Sequence, residues 1–141
     1  MLKILICCGG GFSSSFLAGR IDKEIKEQHL ENEVLVDFCP FSIASKKIEE
    51  ADVVMCCPHL RLAIERFLCE TQEISTPLYI MPPRMYGRIV LNEVVSDAQD
   101  VIEMYQETHM NPIHFPGEEN PLRIRRWQAY RNVKGDYHGY I

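Results

Sequence analysis

One segment near the amino terminus carries the residue types that can do chemistry. It reads Cys8-Gly9-Gly10-Gly11-Phe12-Ser13-Ser14-Ser15 and separates an apolar run from a helix-like stretch. Glycines accept positive φ, so successive backbone N–H groups can turn toward one point. A helix N-terminus adds partial positive charge and unpaired donors, and a serine such as Ser13 can cap the helix. The segment from Gly9 to Ser15 therefore predicts a binding site for a phosphate-sized anion.

Cys8 is the first residue of this loop and directly follows the apolar run. A helix N-terminus favours the thiolate form of a nearby cysteine, and the thiolate is the nucleophile. We predict that Cys8 is a catalytic nucleophile, and the alternative is a buried structural thiol at a strand end. Cys7 should point to the opposite side of the strand, into the core. Cys39 and Cys69 are predicted to be ordinary buried thiols.

Three common phosphate-binding motifs do not fit the loop. A Walker A loop ends in Gly-Lys-Ser/Thr, and this loop contains no lysine. The dinucleotide-binding fingerprint needs a third glycine where Ser14 stands. Tyrosine phosphatases have an arginine at that same position, and Arg20 lies too far along the helix to replace it. Because that arginine grips the phosphoryl group bidentately during transfer to water, a phosphatase-like hydrolase is the less favoured alternative.

The elements that position the loop alternate along the chain. Apolar strand-like runs span 2–7, 33–38, 52–57 and 77–81, and helical periodicity spans 13–29, 42–51, 59–70 and 89–106. Phe16 is assigned to the apolar face of the first helix, and residues 81–87 are predicted to be a loop. Alternating strands and helices predict right-handed crossovers and a parallel sheet covered on both faces, which is a three-layer α/β/α fold. Ligands of such sheets bind beyond the carboxyl ends of the strands.

Four more residues follow the third and fourth strands and are candidate rim residues: Cys57, His59, Arg84 and Tyr86. Two functional interpretations of His59 are that it steers a phosphoryl group or that it binds a metal together with Cys57. The structural alternative is a helix-capping or solvated side chain. Arg84 and Tyr86 contact phosphate or a partner, or are a surface residue and a packing aromatic. The sequence leaves these alternatives open.

Length, charge and cysteine placement exclude several classes of protein. The 141 residues suit one ordinary domain, and a net charge of -5 argues against a wholly basic nucleic-acid binder. No apolar run reaches the ~20 residues of a membrane span, and no signal peptide is recognisable. Four of the six cysteines form adjacent pairs in strand-like runs, without Cys-x-x-Cys, which favours a cytosolic protein with reduced thiols. We expect no metal and no cofactor.

The composition changes after about residue 107. Residues 108–120 contain two prolines besides a glycine and are predicted to be an extended linker. Residues 118–141 are aromatic and carry a charge of +2, against -7 for the rest of the chain. We therefore divide the chain into a domain over 1–107 and a C-terminal extension over 108–141. The extension is interpreted as an oligomer arm or partner-docking tail; a disordered end and a nucleic-acid-binding segment are the alternatives.

Three motifs along residues 1–107 together point to a family. The first is Cys-x-x-Gly-x-Ser-x-Ser, formed by Cys8, Gly11, Ser13 and Ser15; the second is Ala51-Asp52-Val53-Val54 with Pro58; the third is Tyr86-Gly87. In order and spacing they resemble the cytosolic IIB component of the lactose/cellobiose type in the bacterial phosphoenolpyruvate-dependent sugar phosphotransferase system (PTS).

This resemblance implies a mechanism and partners. Cys8 would receive a phosphoryl group from a phosphohistidine of the IIA component and pass it to a sugar held by the membrane IIC component. The backbone from Gly9 to Ser15 would cradle the phosphate. The protein would be cytoplasmic and associate peripherally with the IIC permease. The fold implied is a four-stranded parallel sheet of order 2-1-3-4, similar to that of low-molecular-weight tyrosine phosphatases, plus the C-terminal extension.

The chain departs from the family pattern at Cys57, in the three consecutive glycines and in the extension. The family usually has a small residue, often glycine, at the position of Cys57. If the first and third strands are neighbours, as the resemblance implies, Cys57 lies near Cys8, and oxidation pairing the two is a hypothesis. A non-catalytic regulatory or interaction module on the same fold is the alternative to a relay.

Overall fold

The computed structural model describes residues 1–8, 13–71 and 74–133, with the side chains of 13–15 left out. Four parallel strands form one sheet: β1 (Leu2–Cys8), β2 (Val34–Pro40), β3 (Val53–Cys56) and β4 (Leu78–Ile80). Their order across the sheet is β2-β1-β3-β4. The predicted parallel sheet and its strand order are therefore confirmed, and β1 lies between two neighbours.

Helices cover both faces of the sheet. They are α1 (Ser13–Glu27), α2 (Ser45–Glu50), α3 (Arg61–Glu70), α4 (Pro83–Arg88), α5 (Leu91–Thr108) and α6 (Tyr130–Val133). Side chains of α1 and α5 pack in one buried cluster, and those of α2 and α3 pack in another. The three-layer prediction is thus confirmed. Among the described residues, no helix is both long and apolar enough to cross a bilayer.

Alternation along β1 explains how one strand serves both layers. Ile4 and Ile6 join the cluster beneath α1 and α5, whereas Leu5 and Cys7 join the cluster beneath α2 and α3. Successive strand residues point to opposite faces, so a continuous apolar run is what a strand buried on both faces requires. The predicted core position of Cys7 is confirmed, with an exposed fraction of 0%.

Three details of the sequence prediction were wrong. Phe16 was assigned to the apolar face of the first helix but is 73% exposed, because it lies about 100° around the helix from Leu17, which is buried. Cys69 is exposed rather than buried, since it lies one residue past the half-buried Leu68 on α3. Residues 83–88 form α4 instead of a loop.

The C-terminal segment, residues 109–133, packs partly on the sheet of its own chain. Ile113 forms a parallel bridge with Tyr79, and its N–H donates to the carbonyl of Leu78 at 2.8 Å. Ile113 and Phe115 belong to the buried cluster beneath α1 and α5. Residues 109–120 are irregular in backbone, yet their apolar side chains extend the core past the edge strand β4. The division of the chain at residue 107 stays a prediction.

Candidate functional site

Cys8 is the last residue of the central strand β1. It pairs in register with Pro40 of β2 and is 3% exposed. The 15-residue helix α1 begins at Ser13, so four residues separate the carboxyl end of β1 from a helix N-terminus. This edge of a parallel sheet is where ligands bind in α/β folds, and a helix N-terminus there attracts anions.

The predicted phosphate-binding residues are only partly within the described structure. Gly9, Gly10, Gly11 and Phe12 lie outside the described residues. Ser13, Ser14 and Ser15 form the first turn of α1, but their side chains also lie outside the description. The backbone thus supplies a helix N-terminus after Cys8, and the contacts of the loop with phosphate stay a prediction.

A row of thiols crosses the sheet one residue before Cys8. Cys7 pairs in register with Cys39 on β2 and with Cys56 on β3. A hydrogen bond with Cys7, together with burial, raises the pKa of Cys56 well above that of an ordinary thiol. Burial also raises the pKa of Cys39, and the Lys47 ammonium only partly offsets this. Both shifts favour the neutral thiol form of Cys39 and Cys56, as is typical of structural thiols.

The four candidate rim residues follow the carboxyl ends of β3 and β4. The N–H of Cys57 donates to the carbonyl of Cys7 at 3.0 Å, which brings Cys57 beside the end of β1. His59 is exposed in a short 3-10 turn, Pro58–Leu60. Arg84 is exposed on α4, whereas Tyr86 is half-buried and packs against both core clusters. Their roles at the site stay predictions, and the packing of Tyr86 favours its structural alternative.

The most strongly ionic cluster was missed by the sequence reasoning. The guanidinium of Arg126 donates to both carboxylate oxygens of Glu118, at 2.8 and 2.9 Å, and to Asp97 at 2.9 Å. It also donates to the hydroxyl of Tyr79 and to the carbonyl of Gln128. A signal was present, because Asp97 lies three residues after Val94 and four before Val101, within the apolar stripe of α5.

Burial dominates the electrostatics of this cluster. It raises the pKa of Asp97 to about 6, although Arg126 and the N–H of Tyr130 lower it. Burial likewise raises the pKa of the Tyr79 phenol. For Arg126, burial opposes the charged form, but hydrogen bonds to Glu118 and nearby negative charges outweigh it and raise the pKa. The cluster joins the C-terminal segment to β4 and α5 rather than forming a site at the Cys8 edge.

The C-terminal segment also contacts α5 through an ion pair and α4 through a cation–π contact. Arg131 forms a two-pronged ion pair with Asp100, at 3.0 and 2.7 Å. The guanidinium of Arg88 lies 4.6 Å from the ring centre of Trp127. The Phe115 and Tyr130 rings stack, with 4.6 Å between their centres.

Across the described parts of the chain, no group of three or more His, Cys, Asp or Glu side chains is arranged to hold a metal ion.

The fold is that of a parallel α/β protein. Its distinguishing feature is a cysteine that ends a central strand shortly before a helix N-terminus. The sequence model of the family "PTS system, Lactose/Cellobiose specific IIB subunit" matches residues 3–101. The chain belongs to this family, which confirms the resemblance seen in the motifs. It is therefore a phosphotransferase component of sugar transport, of a kind that works with IIA and IIC partners.

A solved structure supports the same fold. The lactose-specific IIB component domain of the phosphoenolpyruvate:carbohydrate PTS from Streptococcus pneumoniae is similar, with a TM-score of 0.50 and 14% sequence identity. The match covers 77% of this chain and 98% of that chain. At this identity the likeness concerns the fold alone. A comparison with curated protein sequences gives no match.

Proposed function

We propose that this protein relays a phosphoryl group through Cys8, from a phosphohistidine of a IIA component to a sugar bound by a membrane IIC component. The observation that supports the proposal is the position of Cys8 at the carboxyl end of β1, with only four residues between it and the N-terminus of α1. A nucleophilic sulfur there lies where the sheet and the helix together favour a phosphate dianion.

The chemistry requires positioning and charge stabilisation. The sulfur of Cys8 attacks phosphorus, an S–P bond forms, and the P–N bond to the donor histidine breaks. In the second step a sugar hydroxyl attacks phosphorus and gives up its proton to solvent, the S–P bond breaks, and the thiolate returns. Backbone N–H groups from Gly9 to Ser15, with the hydroxyls of Ser13 and Ser15, would bind the phosphate oxygens. Ser14 stands where a hydrolase carries arginine, which suits a relay that must protect its phosphoryl group from water.

The place of action follows from the two partners. We propose a cytoplasmic protein that associates peripherally with the IIC permease while the phosphoryl group passes to the sugar. IIA and IIC each have to reach the sulfur of Cys8 in turn, so the same edge of the sheet would receive both. Residues 113–130 pack on their own chain, so a docking or oligomer role of residues 108–141 is proposed for a packed segment rather than for a free arm.

A reconstituted assay of sugar phosphorylation tests the relay. It contains phosphoenolpyruvate, the general phosphotransferase proteins, a lactose/cellobiose-type IIA, and membranes that carry the matching IIC. We expect Cys8→Ser to abolish sugar phosphorylation, and Cys69→Ser, at an exposed thiol on α3, to retain it. Full activity of Cys8→Ser contradicts the proposal. An inactive wild type beside an active control IIB favours the non-catalytic module, and turnover of a small aryl phosphate favours the hydrolase.

A further inference from the structure

Five of the six cysteines gather at one edge of the sheet. Cys39, Cys7 and Cys56 form one in-register row across β2, β1 and β3. Cys8 and Cys57 each come one residue later, on β1 and just after β3. All five are buried, whereas Cys69 is exposed on α3. The predicted nucleophile therefore has several thiols as its nearest sequence and strand neighbours.

The backbone places Cys57 in the row of Cys8. The N–H of Cys57 donates to the carbonyl of Cys7 at 3.0 Å, as the ladder of a parallel pair requires. Cys57 is also extended, with φ of -68° and ψ of 153°. Adjacent strands lie ~4.8 Å apart, within the roughly 4.4–6.8 Å between Cα atoms that a disulfide spans. The backbone spacing is therefore compatible with a bond between the two sulfurs.

The neighbouring thiols are poorer candidates for reaction with Cys8. Cys7 and Cys56 are 0% exposed and hydrogen-bonded to each other, and Cys56 has a strongly raised pKa. Cys39 is 4% exposed, but it belongs to the Cys7 row and burial raises its pKa as well. Because Cys7 and Cys8 are consecutive on a strand, that row turns away from Cys8.

In the reduced protein, Cys57 packs among the thiols beneath α2 and α3. Cys57 and Cys8 are each 3% exposed. A bond between the two sulfurs requires the sulfur of Cys57 to move out of this cluster toward Cys8, by rotation about the Cα–Cβ bond to another staggered rotamer. A Cys8–Cys57 disulfide would engage the sulfur of Cys8, which could then no longer accept a phosphoryl group.

We propose that Cys8 is a redox-modification site and that Cys57 is the thiol that resolves its oxidised form. The Cys8 thiolate attacks hydrogen peroxide; the O–O bond breaks, and a sulfenic acid and hydroxide form. The Cys57 sulfur then attacks the Cys8 sulfur; the S–S bond forms, the S–O bond breaks, and water leaves with the thiol proton. Two thiols have lost two electrons, and the peroxide has become two waters. A dithiol reductant reverses the change.

The functional consequence rests on the proposed relay, because a disulfide at Cys8 removes the phosphoryl acceptor. The disulfide itself does not depend on the relay. The two ideas are therefore measured separately: disulfide mapping for the pair, and phosphoryl acceptance by reduced protein for the relay.

The experiment uses the full chain with Cys69→Ser as background, so that an exposed thiol does not link two molecules. Protein is treated with hydrogen peroxide at a few equivalents, free thiols are blocked, and peptides are mapped by mass spectrometry. We expect a Cys8–Cys57 crosslink that disappears with dithiothreitol. Adding Cys57→Ser should remove the crosslink and leave a sulfenic acid on Cys8 that dimedone traps.

The matched control adds Cys39→Ser instead, which should keep the Cys8–Cys57 crosslink. A dominant Cys8–Cys39 or Cys7–Cys56 crosslink, or an unoxidised Cys8 in folded protein, overturns the proposal. Circular dichroism of each variant verifies the fold. If reduced wild type accepts no phosphoryl group but still forms the crosslink, the relay fails while the redox pair stands.

Discussion

Removing Arg126 should be the most damaging single change in the C-terminal segment. Arg126 makes five hydrogen bonds, four of them to side chains of the buried cluster. Its side chain is 1% exposed, and the carboxylates of Asp97 and Glu118 are 0% and 1% exposed. Arg126→Ala leaves both carboxylates buried without their cation.

The size of the loss follows from the cost of an uncompensated buried charge. Breaking a buried pair costs about 3–5 kcal/mol, and domains of ordinary size are stable by only about 5–15 kcal/mol. The two pairs share one guanidinium, so their contributions do not simply add. We therefore expect Arg126→Ala to lower the free energy of unfolding by about 3–5 kcal/mol and the urea midpoint by more than about 1 M.

Urea denaturation of wild type and variants is the assay. Arg125→Ala is the matched control, because Arg125 is the exposed neighbour and should change stability by less than about 0.5 kcal/mol. Arg126→Met combined with Asp97→Asn and Glu118→Gln should regain part of the loss, since no buried charge is left unpaired. Equal losses for Arg126→Ala and Arg125→Ala, or no recovery in the triple variant, refute the reasoning.

Two further predictions concern the same region. Burial raises the pKa of Asp97 to about 6 in the folded protein, above that of an unfolded aspartate, so protonation of Asp97 stabilises the folded state. This contribution is complete below the unfolded pKa and is lost as pH rises through about 6. Urea titrations should therefore show wild type losing stability relative to Asp97→Asn as pH rises from about 4 to about 7, and parallel pH profiles would contradict this. Phe115 is 2% exposed and contacts the rings of Tyr79 and Tyr130, so Phe115→Ala should cost about 3–5 kcal/mol in the same assay; a cost under about 1 kcal/mol would show that this segment does not share the core.

The sequence predicted the central layers because their signals are periodic. The apolar run of β1 and the 3.6-residue stripe of α5 each match one element, and alternation of strands and helices limits the topology. The helix α4 was missed because a pair of prolines and Gly87 indicate a loop. Pro83, however, is the first residue of α4, a position where proline sacrifices no helical hydrogen bond.

The Arg126 cluster was beyond the sequence for a different reason. Its members lie on β4, α5 and the C-terminal segment, and no local pattern fixes which acid an arginine will meet. Arg126 and Arg125 are adjacent and identical in type, yet one is buried and the other exposed. For the candidate site, sequence motifs predict Cys8 and its loop, and the structure adds the neighbouring row of thiols formed by Cys39, Cys7 and Cys56.

The most direct test of the account is the location of the phosphoryl group. Reduced protein is incubated with phosphoenolpyruvate, the general phosphotransferase proteins and a lactose/cellobiose-type IIA, and its phosphopeptides are mapped by mass spectrometry. The account predicts an acid-sensitive phosphoryl group on Cys8 that is absent from folded Cys8→Ser and present in Cys7→Ser, provided that variant also folds. A phosphoryl group on another residue, or none while the same IIA labels a control IIB, would contradict the central claim.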